Sequence, residues 1–135
     1  SKLFMNVREK LSLCYSIGSG YYGTKGIVTV AAGIDFDKES LTREEILRQL
    51  NACKEGNISE QELQAAKEAI LSSLRATHDS PNAIEGFYAT AALSGLRFGH
   101  GEYMEAVEAV TVEDVVACAN LLQLHTTYFL KGVQS

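Results

Sequence analysis

The chain has 135 residues, of which 46% are hydrophobic and 21% charged, which is the composition of one ordinary globular domain and argues against disorder. Seventeen acidic residues outnumber twelve Lys and Arg, and the net charge of −5 argues against binding to a nucleic-acid backbone. No apolar run approaches the ~20 residues that a membrane-spanning helix requires. We therefore expect a single domain over residues 1–135, with neither a nucleic-acid nor a membrane partner.

The first segment, residues 3–15 (LFMNVREKLSLCY), combines a helical pattern with the beginning of a strand. An apolar stripe predicts a helix that ends near Ser12, and the alternation after it predicts a strand. If these elements pack side by side, the guanidinium of Arg8 and the phenol of Tyr15 converge and offer donors to a peptide carbonyl or a developing oxyanion. On spacing alone, a solvated Arg8 and an ordinary strand aromatic at Tyr15 are the more common interpretation.

A glycine-bearing hairpin comes next. Residues 18–26 (GSGYYGTKG) predict its connecting loop, and the apolar run GIVTVAAGI predicts its second strand. The letters GSGYYG also match the dinucleotide-binding pattern G-x-G-x-x-G, but that pattern has to open a helix. Because a β-rich run follows here, we interpret the glycines as turn residues.

Three capping boxes predict the starts of later helices, with the helix after the first box stopping at Gly56. The boxes are Thr42 to Glu45, Ser59 to Glu62 and Thr111 to Asp114. Residues 82–96, rich in Ala and Gly and apolar on several sides, predict a helix enclosed by neighbours. A short helix at 103–108, a last helix at 112–122 and a closing strand at 126–133 complete the order.

This order predicts an α+β fold, an antiparallel sheet with helices packed on one face. Three strands leave unpaired edges and uncovered apolar surface, so we expect an incomplete sheet and self-association of the isolated segment. The cysteines are three in number and widely spaced, at Cys14, Cys53 and Cys118. An odd number without a close pair predicts buried thiols in a reducing compartment, and the cytoplasm is the expected location.

The run LFMNVREKLSLCY, the hairpin and the strand GIVTVAAGI together resemble the C-terminal, non-zinc domain of the pitrilysin/insulinase family of zinc metallopeptidases. The resemblance implies a ferredoxin-like-derived metallopeptidase fold that lacks its first strands here. In that family an arginine and a tyrosine seven positions apart reach into the active site of a zinc-bearing domain and hold the substrate backbone. Arg8 and Tyr15 are the matching positions, so the resemblance implies that they bind a peptide substrate.

The zinc motif of that family, H-x-x-E-H, does not occur in the sequence. The three histidines, His78, His100 and His125, are far apart and predict turn or helix-end positions, so we expect no metal ligand and no catalytic residue in this chain. Zinc is expected in a homologous partner domain or subunit.

Three functions follow as hypotheses: the substrate-holding half of a zinc endopeptidase, a catalytically inert relative that acts in protein assembly, and a small-molecule-binding regulatory domain. The third depends on fold analogy alone.

Overall fold

The computed structural model describes residues 1–78, 80–93, 95, 97 and 99–132. This part of the chain contains two antiparallel strands and six helices, which confirms the predicted α+β class. In chain order they are a π-helix at Leu3–Lys10, β1 at Ser16–Tyr22, β2 at Ile27–Gly33, α1 at Glu39–Lys54, α2 at Glu60–His78, α3 at Pro81–Leu93, α4 at His100–Ala109 and α5 at Val112–Leu121. Two short 3₁₀ turns, Gly23–Lys25 and Phe36–Lys38, connect the strands to each other and β2 to α1.

The first helix ends where the sequence predicts. Val7 is completely buried and fixes its inner face. At its end the amide of Ser12 donates to the carbonyl of Arg8 at 2.9 Å, and the amide of Leu13 donates to the carbonyl of Val7 at 3.1 Å. Ser12 has a φ of 50°, so the chain reverses direction there before it enters β1.

The hairpin is longer than predicted. β1 and β2 pair from Ser16 opposite Gly33 to Tyr22 opposite Ile27, and the reversal takes place in the turn Gly23–Lys25. The expectation of a loop over residues 18–26 is therefore wrong for its first five residues. Cross-strand hydrogen bonds with the β-rich second strand outweigh the conformational freedom of the glycines, and only Gly26 adopts a positive φ within this region.

Helix α1 begins one turn earlier than predicted, because the 3₁₀ turn Phe36–Lys38 leads directly into it. Thr42 lies inside the helix with 2% of its surface exposed, and its hydroxyl donates to the carbonyl of Leu13 at 3.3 Å. Glu45 is buried as well and bonds to side chains further along the helix. The predicted capping box of Thr42 and Glu45 is therefore wrong, and this pair connects α1 to its surroundings instead.

The other two capping boxes are confirmed. The amide of Glu62 donates to the Ser59 hydroxyl at 3.2 Å, and the Ser59 amide donates back to the carboxylate at 3.0 Å. Thr111 and Asp114 form the same pair of bonds at 3.2 and 2.8 Å. Gly56 also stops α1 as predicted, since its φ of 76° permits the reversal that follows the helix.

Helix α3 is much less enclosed than its composition predicts. Ala91 is the buried hydrophobic residue of this helix, whereas Tyr88 is 49% exposed and Leu93 82% exposed. Phe87 contacts α4, with its ring 5.2 Å from that of His100 and 5.8 Å from that of Tyr103. The expected enclosure on several sides is therefore wrong, and Leu96, the predicted end of this helix, lies outside the described residues.

The predicted closing strand is absent from the described residues 126–132, and Val133 lies outside them. A strand needs a hydrogen-bonded neighbour, and in the described part of the chain neither β1 nor β2 pairs with this segment. Its side chains Tyr128 and Leu130 are 81% and 78% exposed. In the described part of the chain the sheet therefore consists of β1 and β2. Apolar side chains of β2 remain exposed, and Ile27, for example, is 47% exposed.

The three cysteines differ in burial, although all are free thiols. Cys14 is buried and Cys53 half-buried, but Cys118 is exposed, so the expectation of a buried thiol is wrong for Cys118. Within the described part of the chain, none of the helices has both the length and the apolar character needed to span a bilayer.

Candidate functional site

A cleft of about 530 Å³ lies where the first helix, the start of β1 and the turn before α1 meet. Both predicted site residues, Arg8 and Tyr15, line it, although they belong to different segments of the chain. The full lining is Arg8, Glu9, Ser12, Leu13, Cys14, Tyr15, Asp35 and Lys38.

Arg8 reaches the cleft from the last turn of the first helix. Its guanidinium carbon lies 4.9 Å from the centroid of the Phe4 ring, one helical turn earlier, in a cation–π contact. Its Nε lies 3.8 Å from a carboxylate oxygen of Glu9, and 42% of the side chain is exposed. At that exposure the ion pair contributes little to stability, so the guanidinium keeps donors available for a ligand.

Tyr15 is held at both its backbone and its phenol. Its amide donates to the carbonyl of Gly33 at 2.8 Å, which extends the pairing of the hairpin by one bond. Its phenol donates to a carboxylate oxygen of Asp35. This hydrogen bond raises the pKa of Tyr15, and the negative charges of Asp35 and Asp37 act in the same direction. The phenol is therefore protonated at neutral pH and serves in hydrogen bonding.

Lys38 closes the other side of the cleft. Its ammonium donates to the carbonyl of Ser12 at 3.2 Å and lies 3.8 Å from the second carboxylate oxygen of Asp35. The turn before α1 is thereby connected to the segment between the first helix and β1. The side chain of Tyr15 and the backbone at Ser12 thus share one polar network through Asp35 and Lys38.

Cys14 lies in the cleft wall with 8% of its surface exposed. Burial raises the pKa of its thiol, and the positive charge of Arg8 opposes that effect only in part. A nucleophilic cysteine needs a lowered pKa and better access, so Cys14 fits a packing role.

The described residues do not provide a zinc site. They contain no group of three His, Cys, Asp or Glu side chains that could hold a metal ion. Nε2 of His100 lies 2.9 Å from the carbonyl of Leu74, and Nδ1 of His125 lies 2.7 Å from the Thr126 hydroxyl, while the side chain of His78 lies outside the described part. Two of the three histidines thus lie at separate places and have protein partners.

Sequence reasoning identified Arg8 and Tyr15 but missed Asp35 and Lys38. These two follow β2, and the hairpin register determines how close they come to Tyr15. A partial signal exists in retrospect: once Ser16 is placed opposite Gly33, continuing the register brings Asp35 level with Cys14, one residue from Tyr15. Because residues 18–26 were predicted to form a loop, the pairing register of the hairpin was not predicted.

Taken together, the cleft contains the donors of two cations, a phenol that bonds to Asp35, and the carboxylates of Glu9 and Asp35. Such a mixed polar surface suits the alternating carbonyl and amide groups of a polypeptide backbone better than a strongly charged ligand.

Comparison with known proteins identifies relatives of this chain. The profile of the family described as "Peptidase M16 inactive domain" matches residues 1–70, which include every residue of the cleft. A protein of Bacillus subtilis strain 168 named "Probable inactive metalloprotease YmfF" is 34% identical over 134 residues, covering 99% of this chain and 32% of that protein. A protein of Rickettsia bellii named "Uncharacterized zinc protease" is 28% identical over 123 residues, covering 89% of this chain and 30% of the relative.

Solved structures share the fold. A conserved protein from Enterococcus faecalis V583 superposes with a TM-score of 0.81 at 29% identity, covering 89% of this chain and 28% of that one. A protease from Helicobacter pylori superposes with a TM-score of 0.75 at 21% identity, covering 90% of this chain and 30% of that one. This chain therefore spans about a third of the length of the curated relatives it matches.

Proposed function

Because this chain belongs to the family of the peptidase M16 inactive domain, we propose that it forms the substrate-holding, non-zinc half of a zinc-dependent endopeptidase. The family membership confirms the resemblance found in residues 3–15. The proposal concerns the whole protein, of which this chain is one part.

The observation that carries the proposal is that Arg8 and Tyr15 line one cleft. Arg8 would donate to a backbone carbonyl of the peptide, and Tyr15 would fix the neighbouring peptide group. Holding the scissile region at two points reduces the entropy that has to be lost before cleavage and aligns the bond with a catalyst on the opposite side.

The zinc would be held by a homologous domain or subunit that carries H-x-x-E-H, since the described residues here do not fit a metal site. When bound there, zinc supplies a Lewis acid and an activated water. The residues of this chain would bind and orient the peptide and exclude water from it.

The test uses the whole protein together with its zinc-bearing homologue and a mixed peptide library, with cleavage read by mass spectrometry. We expect Arg8→Ala and Tyr15→Phe each to reduce the cleavage rate by roughly tenfold or more, since each removes one hydrogen bond to the bound peptide. Cleavage at the wild-type rate by both variants would contradict the proposal.

Matched controls come from residues of the same type outside the cleft. Arg43 on α1 and Tyr22 at the end of β1 are exposed, and neither lines the cleft. Arg43→Ala and Tyr22→Phe should therefore leave cleavage unchanged. Equal losses in the cleft variants and the controls would indicate a general effect on folding.

A second candidate function is a catalytically inert homologue that acts in protein assembly. The name of the Bacillus subtilis relative, "Probable inactive metalloprotease", favours it. In that case peptides would bind to the whole protein without cleavage. The same peptide library distinguishes the two, because retention without new fragments supports the inert role.

Location and self-association belong to the same proposal. The three free thiols are compatible with a reducing compartment, and the cytoplasm is the location that we propose. The exposed apolar side chains of β2 support association of the isolated segment, which size-exclusion chromatography at high concentration would detect. A clean monomer at all concentrations would contradict the association.

A further inference from the structure

We infer that Thr42 is a positioning residue, which holds the chain reversal between Arg8 and Tyr15 from α1 and thereby fixes Tyr15 relative to a bound peptide. The inference rests on the proposed function for its ligand. The sequence predicts a helix cap at Thr42, so this role follows from the structure alone.

The reversal, residues 11–14, joins the first helix to β1 through one unfavourable backbone conformation. Ser12 has a φ of 50°, and it is the one residue other than glycine with a positive φ in the described part of the chain. Steric contacts of the Cβ atom disfavour this region for a serine. Residues in such conformations persist where the surrounding structure holds them, and they are concentrated at functional sites. The reversal therefore depends on contacts that keep Ser12 in place.

In the described part of the chain, two side chains donate hydrogen bonds to the carbonyls of the reversal. The ammonium of Lys38 donates to Ser12 at 3.2 Å, and the hydroxyl of Thr42 donates to Leu13 at 3.3 Å. The bond from Lys38 is exposed, so water competes for both of its partners. Thr42 is 2% exposed, so water has little access to its hydroxyl. Thr42 is therefore the stronger of the two restraints.

The restraint reaches Tyr15 because a single residue separates it from Leu13. That residue, Cys14, is 8% exposed in the wall of the cleft and has little freedom to move. On the other side, the amide of Tyr15 donates to the carbonyl of Gly33 at 2.8 Å. Helix α1 thus fixes the backbone before Tyr15, and β2 fixes the backbone at Tyr15 itself. A displacement of about 1 Å in a group that orients a substrate costs on the order of 100-fold in rate, so the restraint affects how a peptide is held.

The first experiment measures hydrogen exchange of the reversal in the whole protein by mass spectrometry. Thr42→Val keeps the shape of the side chain and removes the hydroxyl, whereas Thr42→Ser keeps the hydroxyl. We expect Thr42→Val to raise the exchange rate over residues 13–15 by about 2- to 12-fold, which corresponds to one hydrogen bond of about 0.5 to 1.5 kcal/mol. Thr42→Ser should exchange at nearly the wild-type rate.

Thr77 provides the matched control. Its hydroxyl donates to the carbonyl of Ser73 at 3.0 Å within α2, and its side chain does not line the cleft. Thr77→Val should therefore leave the exchange of residues 13–15 unchanged. If Thr42→Val raises exchange no more in residues 13–15 than across α1, then Thr42 stabilises its own helix and the positioning role is overturned.

The second experiment tests whether Thr42 acts through Tyr15, with cleavage of the same mixed peptide library as the readout. We expect Thr42→Val to lower the cleavage rate by roughly threefold or more, and to have a clearly smaller effect in a protein that already carries Tyr15→Phe. In that background the phenol hydroxyl is gone, so its displacement no longer changes the contact with the peptide. An equal factor in both backgrounds would overturn the inference, because a general loss of stability acts on both alike.

The two experiments separate the inference from the proposed function. If the wild-type protein cleaves no peptide, the proposed function fails, and the effect of Thr42 on a bound peptide fails with it. The exchange measurement still decides whether Thr42 holds the reversal, because it requires no peptide. If the wild type cleaves peptides and Thr42→Val matches it in both cleavage and exchange, the inference fails and the proposed function stands.

Discussion

Replacement of Glu45 by Ala should destabilise the helix that supports the cleft. Glu45 is 8% exposed and accepts hydrogen bonds from Arg48 at 2.8 and 2.7 Å and from Gln49 at 2.6 Å. Gln49, 5% exposed, in turn accepts from Asn6 of the first helix at 2.7 Å. The carboxylate therefore anchors a buried polar chain that joins the first helix to α1.

The expected loss in the free energy of unfolding depends on which hydrogen-bond partners of Glu45 are buried. Arg48 is 67% exposed, so loss of its ion pair costs about 0 to 1 kcal/mol. The amide of Gln49 would lose its acceptor in a buried position, which costs about 1 to 3 kcal/mol. We expect Glu45→Ala to lower the local free energy of unfolding by about 1 to 4 kcal/mol in total.

Native-state hydrogen exchange of the α1 amides in the whole protein measures this cost directly. A loss of that size raises the exchange rate by about 5- to 700-fold, since 1.4 kcal/mol corresponds to a factor of ten. Glu44→Ala is the control, because Glu44 lies next to Glu45 on the same helix but is exposed. Exchange in Glu45→Ala within threefold of that in Glu44→Ala would refute the reasoning.

Three further predictions concern acid stability, the end of α1 and thiol reactivity. The hydrogen bond from Arg48 lowers the pKa of Glu45 in the folded protein. The stabilisation that the ionised carboxylate provides is therefore present above its unfolded pKa near 4.5 and is lost as pH falls through the lower folded pKa. In urea titrations at decreasing pH, the free energy of unfolding should fall less steeply for Glu45→Gln than for the wild type. Gly56→Ala should cost about 1 kcal/mol in hydrogen exchange at the end of α1, because its φ of 76° strains any residue with a Cβ. Iodoacetamide should modify the exposed Cys118 before the buried Cys14, whose pKa is raised by burial. Mass spectrometry measures the order of modification, and modification of Cys14 first would contradict this prediction.

The approach of Arg8 and Tyr15 to one cleft was predictable because it depends on neighbouring elements. A helix that ends near Ser12 and a strand that follows at once leave little freedom in how their side chains face each other. The resemblance in the first segment then indicated which two side chains to choose. Both inferences needed only local pattern and a short connection.

The contributions of Asp35 and Thr42 were not predictable in the same way. Asp35 reaches Tyr15 through the pairing register of the hairpin, which the glycines of β1 made hard to read. Thr42 matches a capping signature in sequence, yet its hydroxyl bonds to the carbonyl of Leu13, which is 29 positions earlier in the chain. In both cases a partner distant in sequence determines the role of the residue, and local propensity does not contain that information.

The cleft residues lie on a segment whose backbone is held in place by α1, and α1 is in turn connected to α5. Thr42 is almost completely buried and holds the carbonyl of Leu13, two residues before Tyr15, so α1 fixes the backbone from which the phenol projects. At the other end of α1, the ammonium of Lys54 donates to the carbonyl of Leu122 at 2.9 Å, which connects α1 to the end of α5. Helices remote from the cleft thereby restrain the segment that forms it. A substitution in α5 that loosens α1 should therefore weaken the peptide binding that we propose without any contact to the peptide, because α1 holds the backbone next to Tyr15.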